Sequence, residues 1–458
     1  MRVHFIAIGG AAMHNLAIAL KIKGFTVSGS DDLITEPSKS RLLQHQLLPD
    51  YQGWDEAKIT TDIDAIILGM HARVNNPELL KAQQLGIRIY SYPEYIYAQS
   101  ENKTRVVIGG SHGKTTITSM ILHTLKYFGK DFDYLVGAQI EGFDNMVKLS
   151  DAPIIVIEGD EYLASPIDRR PKFHIYQPHI AIISGIAWDH INVFPTFENY
   201  IQQFDLFIDT IKPNGTLIYC TEDKVVNELI NHKNSYLQLL PYSTPKYVIK
   251  EDVTYLTNGD SEVSLKIFGQ HNLQNLNAAK LACLQLGIAE ADYYTAISSF
   301  KGAARRLEIV SKNKYAAVFK DFAHSPSKLI ATIAAVKQQY PGRKLIACIE
   351  LHTFSSLNKK FLNEYKNTMN QADLAIVYIN NTTFEHKGLK SFTKNQVIEA
   401  FNKKDLILIN NPHNLLNYLI SLNVKNTNLL MMSSGNFDSL NIIQLSDIFL
   451  ENSTNKTN

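Results

Sequence analysis

The stretch Arg105–Thr118, RVVIGGSHGKTTIT, constrains the fold of this chain more than any other. Val106, Val107 and Ile108 form a short β-branched run, and Gly109 and Gly110 follow it. Next come Ser111, His112, Gly113, Lys114, Thr115 and Thr116. Ile117, Met120, Ile121, Leu125 and Phe128 then recur at helical spacing until Gly129 stops the pattern. Strand, glycine-rich turn and helix in that order are the setting of a phosphate-binding loop. Glycines let backbone N–H groups approach phosphate oxygens, and a helix N-terminus favours negative charge. Lys114 is then expected to reach the β- and γ-phosphates, with the Thr115 hydroxyl offered to Mg²⁺. Ile108 stands where the general pattern has its first glycine, so Gly109, Gly110 and Gly113 carry the turn.

A length of 458 residues predicts about three domains of about 150 residues each. Hydrophobic content of 45% and charged content of 19% are those of an ordinary globular chain. A formal net charge of +1 gives no reason to expect a nucleic-acid partner. Cys220, Cys283 and Cys348 lie far apart in apolar segments and have neither metal-site nor disulfide spacing. That fits a reducing cytoplasm. The apolar N-terminus MRVHFIAIGGAAMHNLAIAL is broken by Gly9 and Gly10, which argues against a secretion signal. No uninterrupted apolar run has membrane-spanning length, so no membrane partner is expected. Nothing in the sequence calls for an obligate protein partner.

The chain opens with a strand at Val3–Ile8, a turn at Gly9–Ala12 and a helix from Met13 to Lys23. A second strand begins at Thr26 and ends at Gly29-Ser30-Asp31. This βαβ start, with an acid after the second strand, resembles a dinucleotide fold, but Ala12 replaces the third glycine. Further elements are expected at Ala65–Leu68, Pro77–Leu85 and Arg88–Tyr90. In the middle of the chain, Pro153–Ile157 and Ile180–Ser184 read as buried parallel strands. Glu158 follows the first of these and Asp189-His190 follow the second, at the strand ends where parallel sheets bind ligands. Thr115, Glu158 and His190 are therefore candidates for one Mg²⁺, with a structural histidine as the alternative for His190. Asn272 and Asn275 open a helix and suit either a cap or the edge of a base. From Ala316 to Met432 strands and helices alternate as in a parallel doubly wound sheet. The polar tail Glu451–Asn458 is expected to fray.

Six motifs then occur in one order: GSHGKTT (Gly110–Thr116), EGDEY (Glu158–Tyr162), WDH (Trp188–His190), GQHNLQN (Gly269–Asn275), ARRLE (Ala304–Glu308) and DFAHSP (Asp321–Pro326). Together they resemble the Mur ligases, the ATP-dependent amide-forming enzymes of peptidoglycan metabolism, over nearly the whole chain. The resemblance implies an α/β protein of three domains. Residues 1–104 would be a Rossmann-like domain for UDP-N-acetylmuramate. Residues 105–302 would be a P-loop ATP-binding domain, and 303–458 a Rossmann-like C-terminal domain. Gly9, Gly10, Met13 and Asp31 would bind the nucleotide sugar, the GGAAM turn being similar to that of the muramate-binding branch. The cofactors implied are ATP and Mg²⁺.

The resemblance also implies individual roles. Lys114 would contact the γ-phosphate, Thr115 one Mg²⁺, and Glu158 and His190 a second. Asn272 or Asn275 would contact adenine. Arg306 and Asp321 would reach the nucleotide from the C-terminal domain, with His324 beside it. Lys320 replaces a common acid and Ser325 a common histidine, so neither receives a role. Ile201–Ile211 contains no lysine, so no carbamylated lysine is expected there. The run IDRRPKF (Ile167–Phe173) is similar to that of the cell-wall recycling members. It implies a murein tripeptide as acceptor, with Arg169, Arg170 and Lys172 facing its carboxylates. L-Alanine is the alternative acceptor. An oxidoreductase resting on the N-terminal turn would leave GSHGKTT unexplained. A nucleotide-gated binding module would leave the muramate-like N-terminus, Arg306 and Asp321 unexplained.

Overall fold

The structure, a computed structural model, describes residues 1–231, 236–259 and 261–454. The described residues form two compact units. The first comprises Met1–Ile186, Phe197–Ser243 and Ala278–Ala296, and the second Ala187–Thr196, Thr244–Asn277 and Ile297–Asn458. Among the described residues no helix is long and apolar enough to cross a membrane.

In the first unit, β1 (Arg2–Ile6), β2 (Thr26–Ser30), β3 (Ala65–Leu68) and β4 (Ile89–Ser91) make a parallel sheet in the order β2-β1-β3-β4. Strand β3 is buried at every position, as expected of a central parallel strand covered on both faces. The helix Ala11–Ile22 follows the Gly9-Gly10 turn. The expected helix Pro77–Leu85 is observed as Pro77–Gln84, with Asn76 capping it through Leu79 N–H and proline in its first turn.

The second sheet of this unit holds the phosphate-loop strand at its centre. Its strands are β5 (Thr104–Gly109), β6 (Asp133–Leu135), β7 (Val147–Lys148), β8 (Ile154–Glu158), β9 (Ile180–Ile183), β10 (Thr216–Cys220) and β11 (Gln238–Tyr242). Their order is β11-β10-β9-β5-β8-β6-β7, parallel except at β7. Strand β5 lies between β8 and β9, with Ile108 beside Glu158 and Gly109 beside Ile183. The chain leaves β5 toward one side of the sheet and returns on the other at β9. That places the loop after β5 at a topological switch point, where the strand ends leave a crevice.

The second unit carries a small antiparallel sheet, β12 (Tyr247–Lys250), β13 (Val253–Asn258) and β14 (Ser261–Leu265). It is bonded to the helix Pro326–Gln339: Thr254 Oγ1 donates to Gln339 Oε1 at 2.9 Å, and Gln339 Nε2 donates to Asp252 O at 2.7 Å. The remaining strands are β15 (Glu308–Lys312), β16 (Ala317–Asp321), β17 (Lys344–Glu350), β18 (Leu374–Tyr378), β19 (Ile407–Ile409) and β20 (Thr427–Met432). They form a sheet in the order β15-β16-β20-β17-β18-β19.

Alternate strand residues feed two separate cores. Phe319, Ala347, Val377 and Leu430 pack with Leu329, Ile333 and Val336 on one face. Val318, Cys348, Ile376 and Leu429 pack with Leu415, Leu419, Leu445 and Phe449 on the other. Helices thus cover both faces, which is the doubly wound arrangement the alternation predicts. One strand departs from the expected parallel order: β15 is an antiparallel edge strand, laid against β16 by the short turn at Asn313. The tail also departs from expectation. The helix Ile442–Thr454 runs to its end because Asn452 donates to Ile420 O and Asn313 donates to Ser453 Oγ, each at 3.0 Å. Residues 455–458 lie outside the described residues.

Candidate active site

The loop after β5 is shaped by two glycines. Gly113 caps the helix Lys114–Tyr127 with φ of 80°, a left-handed conformation. Gly110 has φ of 132°, and a Cβ there would stand 2.1 Å from Ser184 Oγ at the end of β9. Ser184 itself donates to the carbonyls of His112 and Gly109, fastening the loop to the neighbouring strand. Ser111 N–H donates to Gly185 O at 2.9 Å. Thr115 and Thr116 lie buried in the first helical turn.

Lys114 is held inside this loop. Its ammonium donates to Gly110 O at 2.6 Å and to Glu161 Oε2 at 2.7 Å. Burial works against its charge, but the carboxylates of Glu161, Asp160 and Glu158 outweigh burial and raise its pKa. Thr115 Oγ1 donates to Glu158 Oε1 at 2.8 Å, and Glu158 Oε2 accepts from Gly137 N–H at 2.8 Å. A hydroxyl and a carboxylate brought together at a helix N-terminus are hard oxygen donors, the set that suits Mg²⁺ beside phosphate. Among the described residues no group of three or more His, Cys, Asp or Glu side chains forms a metal cage.

Glu161 and Tyr200 were not singled out from sequence. Glu161 accepts from Lys114 through one oxygen and from Tyr200 OH, at 3.0 Å, through the other. The EGDEY motif marked the region, but nothing in the sequence ties it to a tyrosine 39 residues on. Within the run IDRRPKF, Arg169 and Arg170 are exposed and Lys172 is half-buried. Arg170 Nη2 reaches Asp168 at 2.7 Å and Glu94 at 3.3 Å, and Lys172 Nζ meets Asp160 at 2.5 Å. Phe173 is buried, and its ring stacks on Phe207 with centroids 4.6 Å apart. Part of this segment is therefore fixed against the sheet that bears the phosphate loop.

At the N-terminal turn, Gly9 N–H donates to Asp31 Oδ2 at 2.7 Å, across the ends of β1 and β2. Burial lifts the Asp31 carboxyl to about 6, against the Gly9 hydrogen bond, which favours the charged form. Gly10 precedes the helix Ala11–Ile22, and Met13 is buried in its first turn.

The other expected residues lie in the second unit. His190 takes a left-handed φ of 52°, and its N–H donates to Asp189 Oδ1 at 2.7 Å. Asp189 Oδ2 lies 4.0 Å from His324 Nε2. Burial opposes charge on Asp189, but Lys328, His190 and His324 hold its carboxyl down at about 2. His324 Nδ1 lies 2.8 Å from the Phe322 carbonyl, an acceptor only, so the neutral ring carries its proton on Nδ1. Burial first, then Lys328, lowers the pKa of His324 to about 3. Arg306 lies over the Phe322 ring at 4.5 Å, and Phe322 meets His324 edge-on at 5.2 Å. Asp321, at the end of β16, accepts from Thr332 Oγ1 at 2.6 Å. Arg306, Asp321 and His324 are thus brought into one neighbourhood, together with Asp189, which the sequence names beside His190 without a role, and Lys328, which it does not single out. Asn272 and Asn275 are both buried in the first turns of the helix Gln270–Gln285, and Asn272 Nδ2 donates to Phe268 O at 2.9 Å.

Comparison with known proteins places the chain in a family. Residues 2–104 match the family described as Mur ligase family, catalytic domain. Residues 108–283 match the Mur ligase middle domain, and 305–435 the Mur ligase glutamate ligase domain. The UDP-N-acetylmuramate–L-alanine ligase of Caldicellulosiruptor bescii is 31% identical over 386 residues, 81% of this chain and 82% of that protein. Among solved structures, a murein peptide ligase from Psychrobacter arcticus superposes with a TM-score of 0.66 at 22% identity, covering 98% of this chain and 99% of its own. The UDP-N-acetylmuramate–alanine ligase of Thermotoga maritima gives 0.69 at 21%, covering 98% of each chain. At those identities the two structures speak for the fold alone. The sequence matches carry the assignment: the chain belongs to the Mur ligase family and is an ATP-dependent ligase that forms amide bonds.

Proposed function

We propose that this ligase joins the tripeptide L-Ala-γ-D-Glu-meso-diaminopimelate to UDP-N-acetylmuramate in the cytoplasm, as a step of peptidoglycan recycling. The observation that carries the acceptor is the run Ile167–Phe173, an anchored segment on which Arg169 and Arg170 are exposed, Arg170 being paired with Asp168 and Glu94. A murein tripeptide bears several carboxylates, and arginine binds carboxylates bidentately. L-Alanine as acceptor is the second reading, favoured by the name of the 31%-identical relative.

A carboxylate does not condense with an amine at neutral pH unless it is activated. In this reading the γ-phosphoryl group of ATP passes to the lactyl carboxylate of the sugar. The acceptor amine attacks the resulting acyl phosphate, and phosphate leaves from a tetrahedral intermediate. Lys114, its neighbours Gly110, Ser111, His112 and Gly113, and the helix start at Thr115 and Thr116 hold the phosphates. On the family resemblance Thr115 would hold one Mg²⁺, and Glu158 and His190 are assigned to a second; the ions would neutralise charge that builds up on the transferred group. Gly9, Gly10, Met13 and Asp31 bind the nucleotide sugar. Asn272, Asn275, Arg306, Asp321 and His324 are assigned to the nucleotide on the family resemblance. The same resemblance sets working domain limits of 1–104, 105–302 and 303–458.

The test is ADP release with UDP-N-acetylmuramate against a panel of amino acids and murein peptides. Lys114→Ala should lower kcat about 100- to 1,000-fold, the scale for losing one preorganised charged donor. Unchanged ADP release in a folded Lys114→Ala variant would defeat the assignment of the loop.

A further inference from the structure

We propose that Glu161 and Tyr200 form a positioning pair that fixes Lys114 within the phosphate loop and ties it to Ser111. The proposal rests on the reading of Lys114 as a phosphate contact. Glu161 is 2% exposed and Tyr200 is fully buried. Tyr200 lies on the buried face of the helix Phe197–Asp209 with Phe204 and Phe207, and its ring meets Phe204 edge-on at 5.3 Å. Phe207 stacks on Phe173, and both approach Gly109 at the start of the loop. Phenylalanine would fill the Tyr200 position in this aromatic cluster equally well. Packing therefore does not explain the hydroxyl.

The hydrogen bonds do explain it. A carboxylate only accepts, so the single Tyr200 proton goes to Glu161 Oε1 at 3.0 Å. Ser111 Oγ, 2.9 Å from Tyr200 OH, must then be the donor of that contact. The other Glu161 oxygen accepts from Lys114 at 2.7 Å, and Lys114 also donates to Gly110 O. Ser111, Tyr200, Glu161, Lys114 and Gly110 thus close a ring that begins and ends in the loop. Two of the three lysine N–H groups are committed before nucleotide arrives, which leaves one to offer a phosphate oxygen. A lysine side chain is otherwise among the most mobile, and a charge already in place does not have to reorganise during phosphoryl transfer.

Tyr200→Phe removes one oxygen atom and keeps the packing, and Glu161→Gln keeps the shape but removes the charge. The measurements are kcat for ADP release and the Kd of a non-hydrolysable ATP analogue, with thermal unfolding as the check on folding. In both variants kcat should fall about 10- to 100-fold, the range for losing a partner that orients a functional group. The analogue Kd should stay within about threefold, because the loss concerns the transition state. The double variant should lose no more than Glu161→Gln alone, since both act through one path. A folded Tyr200→Phe protein with unchanged kcat, or a loss carried wholly by Kd, would overturn the proposal. If the unsubstituted protein releases no ADP, the ligase reading itself falls and this proposal falls with it.

Discussion

The hydroxyl of Thr115 donates to the carboxylate of Glu158 at 2.8 Å, joining the helix after β5 to the end of its neighbour β8. Ser119 bonds back to Thr115 O, but Thr115 itself is the second residue of the helix and has no helical carbonyl behind it. Its turn toward Glu158 instead places two hard oxygens side by side at the positive end of a helix.

The Mg²⁺ concentration that gives half-maximal rate should therefore rise at least about 10-fold in Thr115→Val and in Glu158→Gln. His190→Ala tests the assignment of His190 separately. Rate profiles against Mg²⁺ that superpose on the unsubstituted protein's would mark these side chains as structural.

Asp31 supplies a pH test with a defined sign. Burial raises its carboxyl from 3.8 to about 6, against the Gly9 N–H. Between those two values the folded chain binds more protons than the unfolded chain, so this group's contribution to stability falls as pH rises through the window. Asp31→Asn retains an oxygen to accept from Gly9 and does not ionise. Its Tm should exceed that of the unsubstituted protein near pH 7.5, and the gap should shrink toward pH 4. The same variant should raise KM for UDP-N-acetylmuramate, in keeping with the role assigned to the Gly9–Asp31 turn. An equal change in Tm at both pH values would contradict the account.

Phe173 links the segment Ile167–Phe173 to the strand that leads into the phosphate loop. It is fully buried, stacks on Phe207, and lies 3.2 Å from where a Cβ on Gly159 would stand. Phe173→Ala should cost about 3–5 kcal/mol in urea unfolding, the range for deleting a buried aromatic ring. Phe173→Leu should recover a large part of that. A loss below about 1 kcal/mol in Phe173→Ala would mean that the segment is not anchored as described.

Much of this was legible in the sequence, and the reasons differ by residue. The strand, turn and helix at Arg105–Thr118 could be read because a β-branched run, clustered glycines and helical periodicity are all local signals. The parallel strands of the C-terminal sheet were legible as short apolar runs between helical patterns. Strand β15 was not, because Glu308–Lys312 is polar and half-exposed and pairs along one edge only. The small sheet β12–β14 leaves as weak a local signal, since the burial of β12 alternates and the sheet's contacts are to a distant helix. At the site, Glu158 was visible from its place after a buried strand. Glu161 and Tyr200 were not, because their bond is a property of the packed fold. Asp168 and Arg170 are two residues apart, so their ion pair was within reach of sequence reasoning. In the sequence Phe173 closes a basic motif, and its place in the core appears only with the partner helix.

The most direct test of the central claim is a competition. The enzyme is given ATP, UDP-N-acetylmuramate, and equal concentrations of L-alanine and L-Ala-γ-D-Glu-meso-diaminopimelate, and the products are read by mass. The account predicts the tripeptide adduct as the main product, formed with one ADP per bond. It also predicts that the adduct falls relative to the alanine product when Arg169 and Arg170 are both replaced by Ala. A product carrying alanine alone would contradict the tripeptide assignment and leave an alanine ligase of the same family.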